Sequence, residues 1–212
     1  MTVIEVSLAL LILGIAMAGA LNFLDRASIL TIRTDSHASA EDATQQALRR
    51  VTQELRAATP VGAPCTAATD TASPSLPAGY DNCVQFTVQR TSSGLDPCSR
   101  TVHVFALVPT DNGVGQLVEN RTRYAGTGTG ATCPGTVEAS RRVLLDKVVT
   151  GGGALFTWLR GDGSVIPTTS AAASTDVPKA SSVRVAVAVR YSTQAPPLSS
   201  SSVAALRNNI SR

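Results

Sequence analysis

The first 24 residues constrain the fold more than any other part of the chain, because they form an apolar run with a single charged side chain. The run is MTVIEVSLALLILGIAMAGALNFL; its charged residue is Glu5, and no Lys or Arg occurs before Arg26. At about 1.5 Å per residue, a helix from Val3 to Leu24 is roughly 30 Å long, the thickness of the hydrocarbon core of a bilayer. The run therefore predicts a helix that is long and apolar enough to span a membrane.

A secretory signal peptide is an alternative interpretation of the same run. Ala16-Met17-Ala18 and Ala18-Gly19-Ala20 both fit the small-x-small pattern that signal peptidase cleaves. A signal peptide begins with a positively charged segment, however, and this run has none. Either the segment inserts poorly, or a basic leader is removed upstream of Met1. In the second case Met1 is a processed N-terminus with a free α-ammonium group.

Glu5 is the one group in this run that needs compensation. A charged side chain costs about 2.5–3.5 kcal/mol to insert at the centre of a bilayer, and less near its edge. The α-ammonium group of Met1 is the available cation, either in the same chain or in a neighbouring one. A pair between chains would fix the register of packed helices, as single buried polar residues do in coiled coils. In the simpler alternative, Glu5 only extends to the membrane–water interface.

The segment MTVIEVSLALLILGI resembles the mature N-terminus of type IV pilins and of type II secretion pseudopilins, in which an aromatic residue usually precedes T-L-I-E-V and an apolar run. The resemblance implies that a prepilin peptidase removes a short leader and that Met1 is N-methylated. It also implies that Glu5 neutralises the N-terminus of an adjacent subunit during assembly. Two positions depart from the family pattern: Met1 replaces the common Phe, and Asn22 stands where many major pilins have proline.

The resemblance also implies a location and a set of partners. Such subunits form a pool in the bacterial cytoplasmic membrane and are then assembled into an extracellular surface filament, the pilus, through their N-terminal helices. The implied partners are other pilins in a homo- or hetero-polymer, the prepilin peptidase and the inner-membrane assembly machinery. The task of the filament, whether motility, adhesion, DNA uptake or secretion, is left open.

A second pattern continues the helix from residue 25 to residue 59. One largely apolar stripe has alternating spacings of four and three residues: Thr44, Leu48, Val51, Leu55 and Ala58. The remaining face balances acidic and basic side chains, which predicts a solvated, salt-bridged surface. Its charged residues are Asp25, Asp35, Glu41, Asp42 and Glu54 against Arg26, Arg33, Arg49, Arg50 and Arg56. Pro60 ends the helix.

The remainder, from residue 60 to residue 212, predicts a β-rich head, which the resemblance implies is extracellular. Short alternating or β-branched runs indicate antiparallel strands at Val84 to Gln89, Thr101 to Val108, Gln116 to Tyr124, Arg142 to Val149, Ala154 to Leu159 and Val183 to Tyr191. The last of these, within VRVAVAVRY, is expected to be central with one face on the helix. Gly161-Asp162-Gly163 predicts a turn, and Leu198 to Ser202 a Ser-rich loop. The fold class is therefore α+β: residues 1–24 form the membrane or filament-core helix, and residues 25–59 form an amphipathic helix that packs on an antiparallel sheet.

The pattern of the head adds a second resemblance. The segments ALRRVTQELRAA, VLLDKVVTGGGALFTWLRGDG, SVRVAVAVRY and SVAALRN are similar in pattern to the larger minor pseudopilins of the J or W type. Those subunits lie at or near the filament tip. This resemblance carries no chemical motif.

The four cysteines, Cys65, Cys83, Cys98 and Cys133, all lie in the head. They form no C-x-x-C pair or Cys/His cluster with zinc-ligand spacing. We predict two disulfides, which implies an oxidising compartment. Three connectivities are open, and the sequential one, Cys65 with Cys83 and Cys98 with Cys133, is favoured; four buried free cysteines are the alternative.

No group of residues in the sequence predicts catalysis. His103 lies in the alternating run TVHVFALV, where a core or surface strand residue is expected, and the head has no second histidine and no G-x-S-x-G motif. The glycine-rich GTGTGATCPG lacks the Gly-Lys-Ser/Thr ending of a phosphate-binding loop. We expect no enzymatic activity, no metal and no cofactor, and the net charge of +3 does not support a nucleic-acid partner.

Two other functions compete with the pilin interpretation. The first is a minor pseudopilin of a type II secretion system, which differs from a pilin in its partners rather than in its physics. The second is a membrane-anchored binding module whose head takes a ligand, as in DNA uptake or adhesion. The binding module differs from both filament subunits because it has no need of Glu5 or of a processed N-terminus.

Overall fold

In a computed structural model, one long helix precedes a sheet of eight antiparallel strands. The structure describes residues 3–63, 81–88, 100–124, 137–168, 173–192 and 195–206. Helix α1 spans Val3–Ala57. The strands are β1 (Thr59–Ala63), β2 (Cys83–Val88), β3 (Arg100–Pro109), β4 (Val114–Tyr124), β5 (Val137–Val149), β6 (Phe156–Leu159), β7 (Ser182–Val189) and β8 (Leu198–Ala205). The predicted α+β class is confirmed.

Helix α1 is continuous through both of the predicted helical segments. It is rich in Ala and Leu, which are strong helix formers, and its last turn precedes Pro60, which has no N–H to continue the helix. The chain divides into two compact units between Glu41 and Asp42. The first unit contains the N-terminal part of α1, and the second contains the last part of α1 together with all the described strands.

The strands of the second unit lie in the order β1-β2-β3-β4-β5-β7-β6, and β8 pairs with β7. Every ladder is antiparallel. β7 is central, as predicted: it pairs with β8 along its whole length on one side and with β6 on the other. Its alternating valines are buried, at Val183, Val185, Val187 and Val189.

The six predicted strands each overlap one of the strands β2 to β7, whereas β1 and β8 were not predicted. β1 contains Pro60 and Gly62, both poor strand residues. The loop predicted for Leu198 to Ser202 is wrong, because these residues begin β8, which pairs residue for residue with β7. Serine has little strand preference of its own, so the neighbouring strand decides the conformation here.

The core of the second unit lies between the last four turns of α1 and one face of the sheet. The predicted stripe is confirmed, since each of its five members is at most 3% exposed: Thr44, Leu48, Val51, Leu55 and Ala58. The sheet contributes larger side chains, among them Phe105, Phe156 and Trp158. The helix is thus held to the sheet by apolar burial, as its spacing predicts.

The predicted turn at Gly161-Asp162-Gly163 is also confirmed. The N–H of Arg160 donates to the carbonyl of Ser164 at 2.9 Å, and the carboxylate of Asp162 accepts from the N–H of Ser164 at 2.9 Å. Gly163 has a φ of 83°, a left-handed conformation that glycine adopts without steric cost. The turn returns the chain to β6 through a bridge between Leu159 and Val165.

Candidate functional site

The predicted assembly residues lie at the start of α1. Glu5 is within the helix, but its side chain lies outside the part of the chain that the structure describes, as does all of Met1. The pairing of a Met1 ammonium group with a Glu5 carboxylate therefore stays a prediction. The helical surface formed by residues 3, 4, 6–8 and 10–24, in contrast, is described.

That surface is apolar and exposed over the first six turns of α1. Large hydrophobic side chains such as Ile4 at 77%, Leu13 at 62% and Phe23 at 72% exposure point outward on every side of the helix. One 18-residue window in α1 has a mean hydropathy of 2.2, which is long and apolar enough for a membrane span. An apolar helix at the N-terminus indicates membrane association or secretion.

Two hydroxyl groups of α1 are satisfied within the helix itself, that of Ser7 on this surface and that of Thr31 beyond it. The hydroxyl of Ser7 lies 3.0 Å from the carbonyl oxygens of both Val3 and Ile4, to which it donates. Thr31 likewise donates to the carbonyl of Ala27 at 2.9 Å. Because these hydroxyls already have acceptors, they need none from water, and the surface suits a nonpolar environment.

The cysteines are described only in part. Cys83 begins β2, is fully buried and is not a free thiol. Cys65, Cys98 and Cys133 lie outside the described residues. The favoured pairing of Cys65 with Cys83 and of Cys98 with Cys133 stays a prediction.

A second candidate site lies between α1 and the sheet, where four charged or titratable side chains meet. We call Arg50, Glu54, His103 and Glu119 the buried charge cluster. The two carboxyl groups and the imidazole are each only 4% exposed as side chains, whereas the side chain of Arg50 is 36% exposed. Burial of this much charge is expensive unless the groups compensate one another.

The distances within the buried charge cluster show that the four groups compensate one another. Arg50 Nη1 lies 2.8 Å from Glu54 Oε1, and Arg50 Nη2 lies 3.1 Å from Glu119 Oε1. His103 Nδ1 lies 3.0 Å from Glu119 Oε1, and its Nε2 lies 3.9 Å from Glu54 Oε2. One guanidinium group therefore bridges both carboxylates, and the imidazole lies between the same two.

The secondary structure places these four residues together. Arg50 and Glu54 are one helical turn apart and so lie on the same side of α1. On the sheet, His103 of β3 faces Arg121 of β4, and Glu119, two residues earlier on β4, is its diagonal neighbour on the same face. The helix supplies one acid and one base, and the sheet supplies the other pair.

An aromatic ring completes the surroundings of His103. Phe86 lies directly opposite His103 in the β2–β3 ladder, and their rings stack with centroids 5.4 Å apart and planes 2° apart. This contact fixes the imidazole plane so that its two nitrogens face the two carboxylates. A cavity of about 110 Å³ adjoins the cluster and is lined by Arg50, Glu54, Val88, Thr101, His103 and Arg121.

The contacts also set the acidity of Glu119. Burial alone would raise its pKa, but the hydrogen bonds from His103 and Arg50, together with their positive charge, lower the pKa below its ordinary value of 4.5. Burial likewise opposes the charge of Arg50, yet the hydrogen bond and charge of Glu119, with the charge of Glu54, raise the pKa of Arg50. Glu119 is therefore held as a carboxylate and Arg50 as a cation.

The buried charge cluster suits a structural role between helix and sheet. Among the described residues, no group of three or more His, Cys, Asp or Glu side chains is arranged to hold a metal ion. In this cluster the Arg50 guanidinium already occupies the space between the carboxylates. The carboxylates are therefore neutralised by fixed protein groups. The contact of Arg50 with Glu54 lies within α1, and the other contacts join α1 to the sheet or one strand to the next.

Two members of the buried charge cluster were interpreted differently from the sequence. Glu54 was assigned to a solvated face of the helix, and that assignment is wrong because Glu54 is 3% exposed. His103 was expected to be an ordinary strand residue; its burial agrees, but its two carboxylate neighbours were missed. The available signal was the position of Glu54 three residues after Val51, at the border of the apolar stripe, one turn after Arg50.

The architecture is pilin-like: an apolar N-terminal helix whose last turns pack on an antiparallel sheet. Comparison of the chain with protein-family models, with curated proteins and with solved structures finds no match.

Proposed function

We propose that this chain is a structural subunit of a type IV pilus-like filament, and that it assembles through the N-terminal half of α1. The proposal assigns it no catalytic activity. Its head faces the outside of the cell, and before assembly the helix is held in the cytoplasmic membrane. Other copies of the chain and related subunits are its partners in the filament.

The observation that carries the proposal is the apolar surface of α1 between Val3 and Leu24. Burial of one large aliphatic side chain is worth about 1.5–3 kcal/mol, and this segment exposes such side chains on all sides. A surface of this size does not remain in water. A membrane covers this surface in a monomer, and neighbouring helices cover it in a filament. In both states the apolar side chains are removed from water.

Glu5 gives this assembly its register. In a bundle of such helices a lone carboxylate is unfavourable unless a cation lies beside it. The α-ammonium group of a processed neighbouring Met1 supplies that cation at one axial position only. A subunit shifted along the bundle by a single turn would leave both charges unpaired.

The test is incorporation of Glu5→Gln subunits into sheared surface filaments, in cells that also make the wild-type chain. Gln keeps the size and the hydrogen-bonding capacity of Glu but removes its charge. We expect at least a tenfold loss of incorporation relative to wild type, the change that about 1.4 kcal/mol produces. Glu41→Gln, an exposed acid later on the same helix, is the matched control and should incorporate normally.

Two outcomes would count against the proposal. Equal incorporation of Glu5→Gln and wild-type subunits would remove the role of Glu5 in register. An N-terminus near Gly19 or Leu21 in mass spectra of the surface protein would indicate signal-peptide cleavage and a secreted head. A mature Met1 with one added methyl group, and the mass deficit of two disulfides, is the expected result.

A further inference from the structure

We infer that β8 is a pairing edge, through which the head of one copy of this chain binds the head of a second copy. The inference rests on the second compact unit alone and does not depend on the proposed role of the N-terminal half of α1. The contact extends the sheet from β8 of one copy to β8 of the other. It is an association of two chains by backbone hydrogen bonds.

The hydrogen-bond pattern shows which backbone groups of β8 are available. The N–H of Leu206 donates to the carbonyl of Ser181 at 2.8 Å, which fixes the phase of the β7–β8 ladder. Even-numbered residues of β8 therefore point their backbone groups at β7, and odd-numbered residues point theirs away. Among the described residues, no strand pairs with that outward edge of β8.

A side-chain contact supports this phase. Arg56 Nη2 lies 3.5 Å from the backbone carbonyl oxygen of Val203, an odd-numbered residue of β8, so that oxygen points away from β7. Arg56 covers the C-terminal end of the edge. The outward N–H and C=O groups of Ser199 and Ser201 have no such neighbour among the described residues.

β8 also differs from the strands at the other ends of the sheet, because it has none of the features that prevent an edge from pairing with a further strand. β1 contains Pro60, which has no N–H to donate, and its pairing with β2 has two register shifts. β6 has four residues, too few for a long ladder. β8 has eight residues, LSSSSVAA, with no charge, no proline and no register shift. Proteins usually block an exposed edge with one of those devices.

The occupant that fits this edge is a second β8. Antiparallel pairing about a two-fold axis places the same strand on both sides, so the edge must tolerate its own side chains. The small uncharged serines of β8 do so without steric or like-charge conflict. With Arg56 covering Val203, the axis passes beside Ser200, and Ser199 of one copy exchanges backbone hydrogen bonds with Ser201 of the other.

Because the β8 contact has a two-fold axis, it is not the contact by which a filament grows. A contact between identical surfaces closes after two copies, whereas a filament needs two different surfaces. The β8 contact therefore joins heads in pairs, either between subunits in the membrane or between filaments that lie side by side.

The test compares Ser201→Pro with Ser201→Ala in the full-length chain, purified in detergent micelles. Proline removes the outward N–H and leaves the bonds to β7 intact, whereas alanine keeps that N–H. Both variants keep α1, so association through the helix is the same in each. We expect wild type and Ser201→Ala to dimerise in sedimentation velocity experiments, and Ser201→Pro to dimerise at least about tenfold more weakly.

A second measurement keeps the test decisive if Ser201→Pro fails to fold. Ser201→Lys places a charge on the same exposed position, and two such charges oppose each other across the axis, so it should also abolish dimers. Amide exchange in the wild-type chain should slow at Ser199 and Ser201 as the protein concentration rises. A wild-type monomer, dimers unchanged in both variants, or slow exchange of these amides in dilute protein would each overturn the inference.

Discussion

The two halves of α1 belong to one continuous helix, yet they satisfy their apolar side chains in opposite ways. In the N-terminal half, residues such as Leu11 and Leu13 are more than half exposed, and the hydroxyl of Ser7 is satisfied by the helix itself. In the C-terminal half, Leu48 and Leu55 are buried against the sheet of the same chain. The apolar side chains of the first half are therefore left uncovered by the residues that the structure describes, whereas those of the second half are covered by the sheet.

Charge separates the two halves as clearly as exposure does. The first 24 residues have one charged side chain, for which we propose a partner in another molecule. Arg50 and Glu54 in the second half have partners on the sheet, at His103 and Glu119. The same helix therefore uses buried ionic pairs within the chain at one end and, by our proposal, between chains at the other.

The largest test of this contrast compares leucine truncations in the two halves. Leu55→Ala should lower the free energy of unfolding of the head by about 2–5 kcal/mol, because it leaves a cavity in a fully buried site. Leu11→Ala should change it by about 0.5 kcal/mol or less, since Leu11 is 60% exposed. The measurement is urea unfolding of the full-length chain in detergent, followed by the fluorescence of Trp158, which is the single Trp of the sequence and is 1% exposed.

Equally large effects of the two truncations would contradict this contrast. They would show that the N-terminal half of α1 contributes to the same cooperative unit as the head. Equally small effects would show instead that the stripe on α1 is dispensable for the sheet.

A smaller effect is expected from removal of one charge in the buried charge cluster. Glu119→Gln keeps the shape of the side chain but removes the carboxylate charge that accepts from Arg50 and pairs with His103. We expect a loss of about 1–2 kcal/mol in the free energy of unfolding, measured as above. Glu138→Gln, an exposed acid on β5, is the matched control and should change stability by about 0.5 kcal/mol or less. A Glu119→Gln variant as stable as the control would mean that the cluster adds no stability.

Much of the fold was predictable because local patterns and tertiary packing agree. The apolar run and the stripe predicted the helix, and the alternation in VRVAVAVRY predicted the central strand and its buried face. β8 was missed because four consecutive serines have no alternation, and only the full-length pairing with β7 makes them a strand. The buried charge cluster was missed for a related reason: Glu54 and Glu119 are 65 positions apart, and no pattern within either segment indicates that they share the contacts of Arg50.

The stability of the head should also depend on pH, through the carboxyl group of Glu119. The pKa of Glu119 is lower in the folded chain than its ordinary value of 4.5. Below that folded pKa the carboxyl group is protonated in both states, so its contribution to stability is absent; above the ordinary value the contribution is complete. Stability of the head should therefore fall as the pH decreases below about 4.5, and the slope should be smaller in Glu119→Gln.

Different observables also distinguish Glu5, in the first half of α1, from Glu119, the β4 residue that binds Arg50 in the second half. Urea midpoints measured with Trp158 across this pH range report the head, where Glu119→Gln flattens the curve and Glu5→Gln leaves it unchanged. Incorporation into sheared filaments, in cells that also make the wild-type chain, reports assembly, where we expect Glu5→Gln to be reduced and Glu119→Gln to be unchanged. If Glu5→Gln flattened the unfolding curve of the isolated chain, Glu5 would have its partner within its own molecule, and the distinction between pairing inside the chain and pairing between chains would fail.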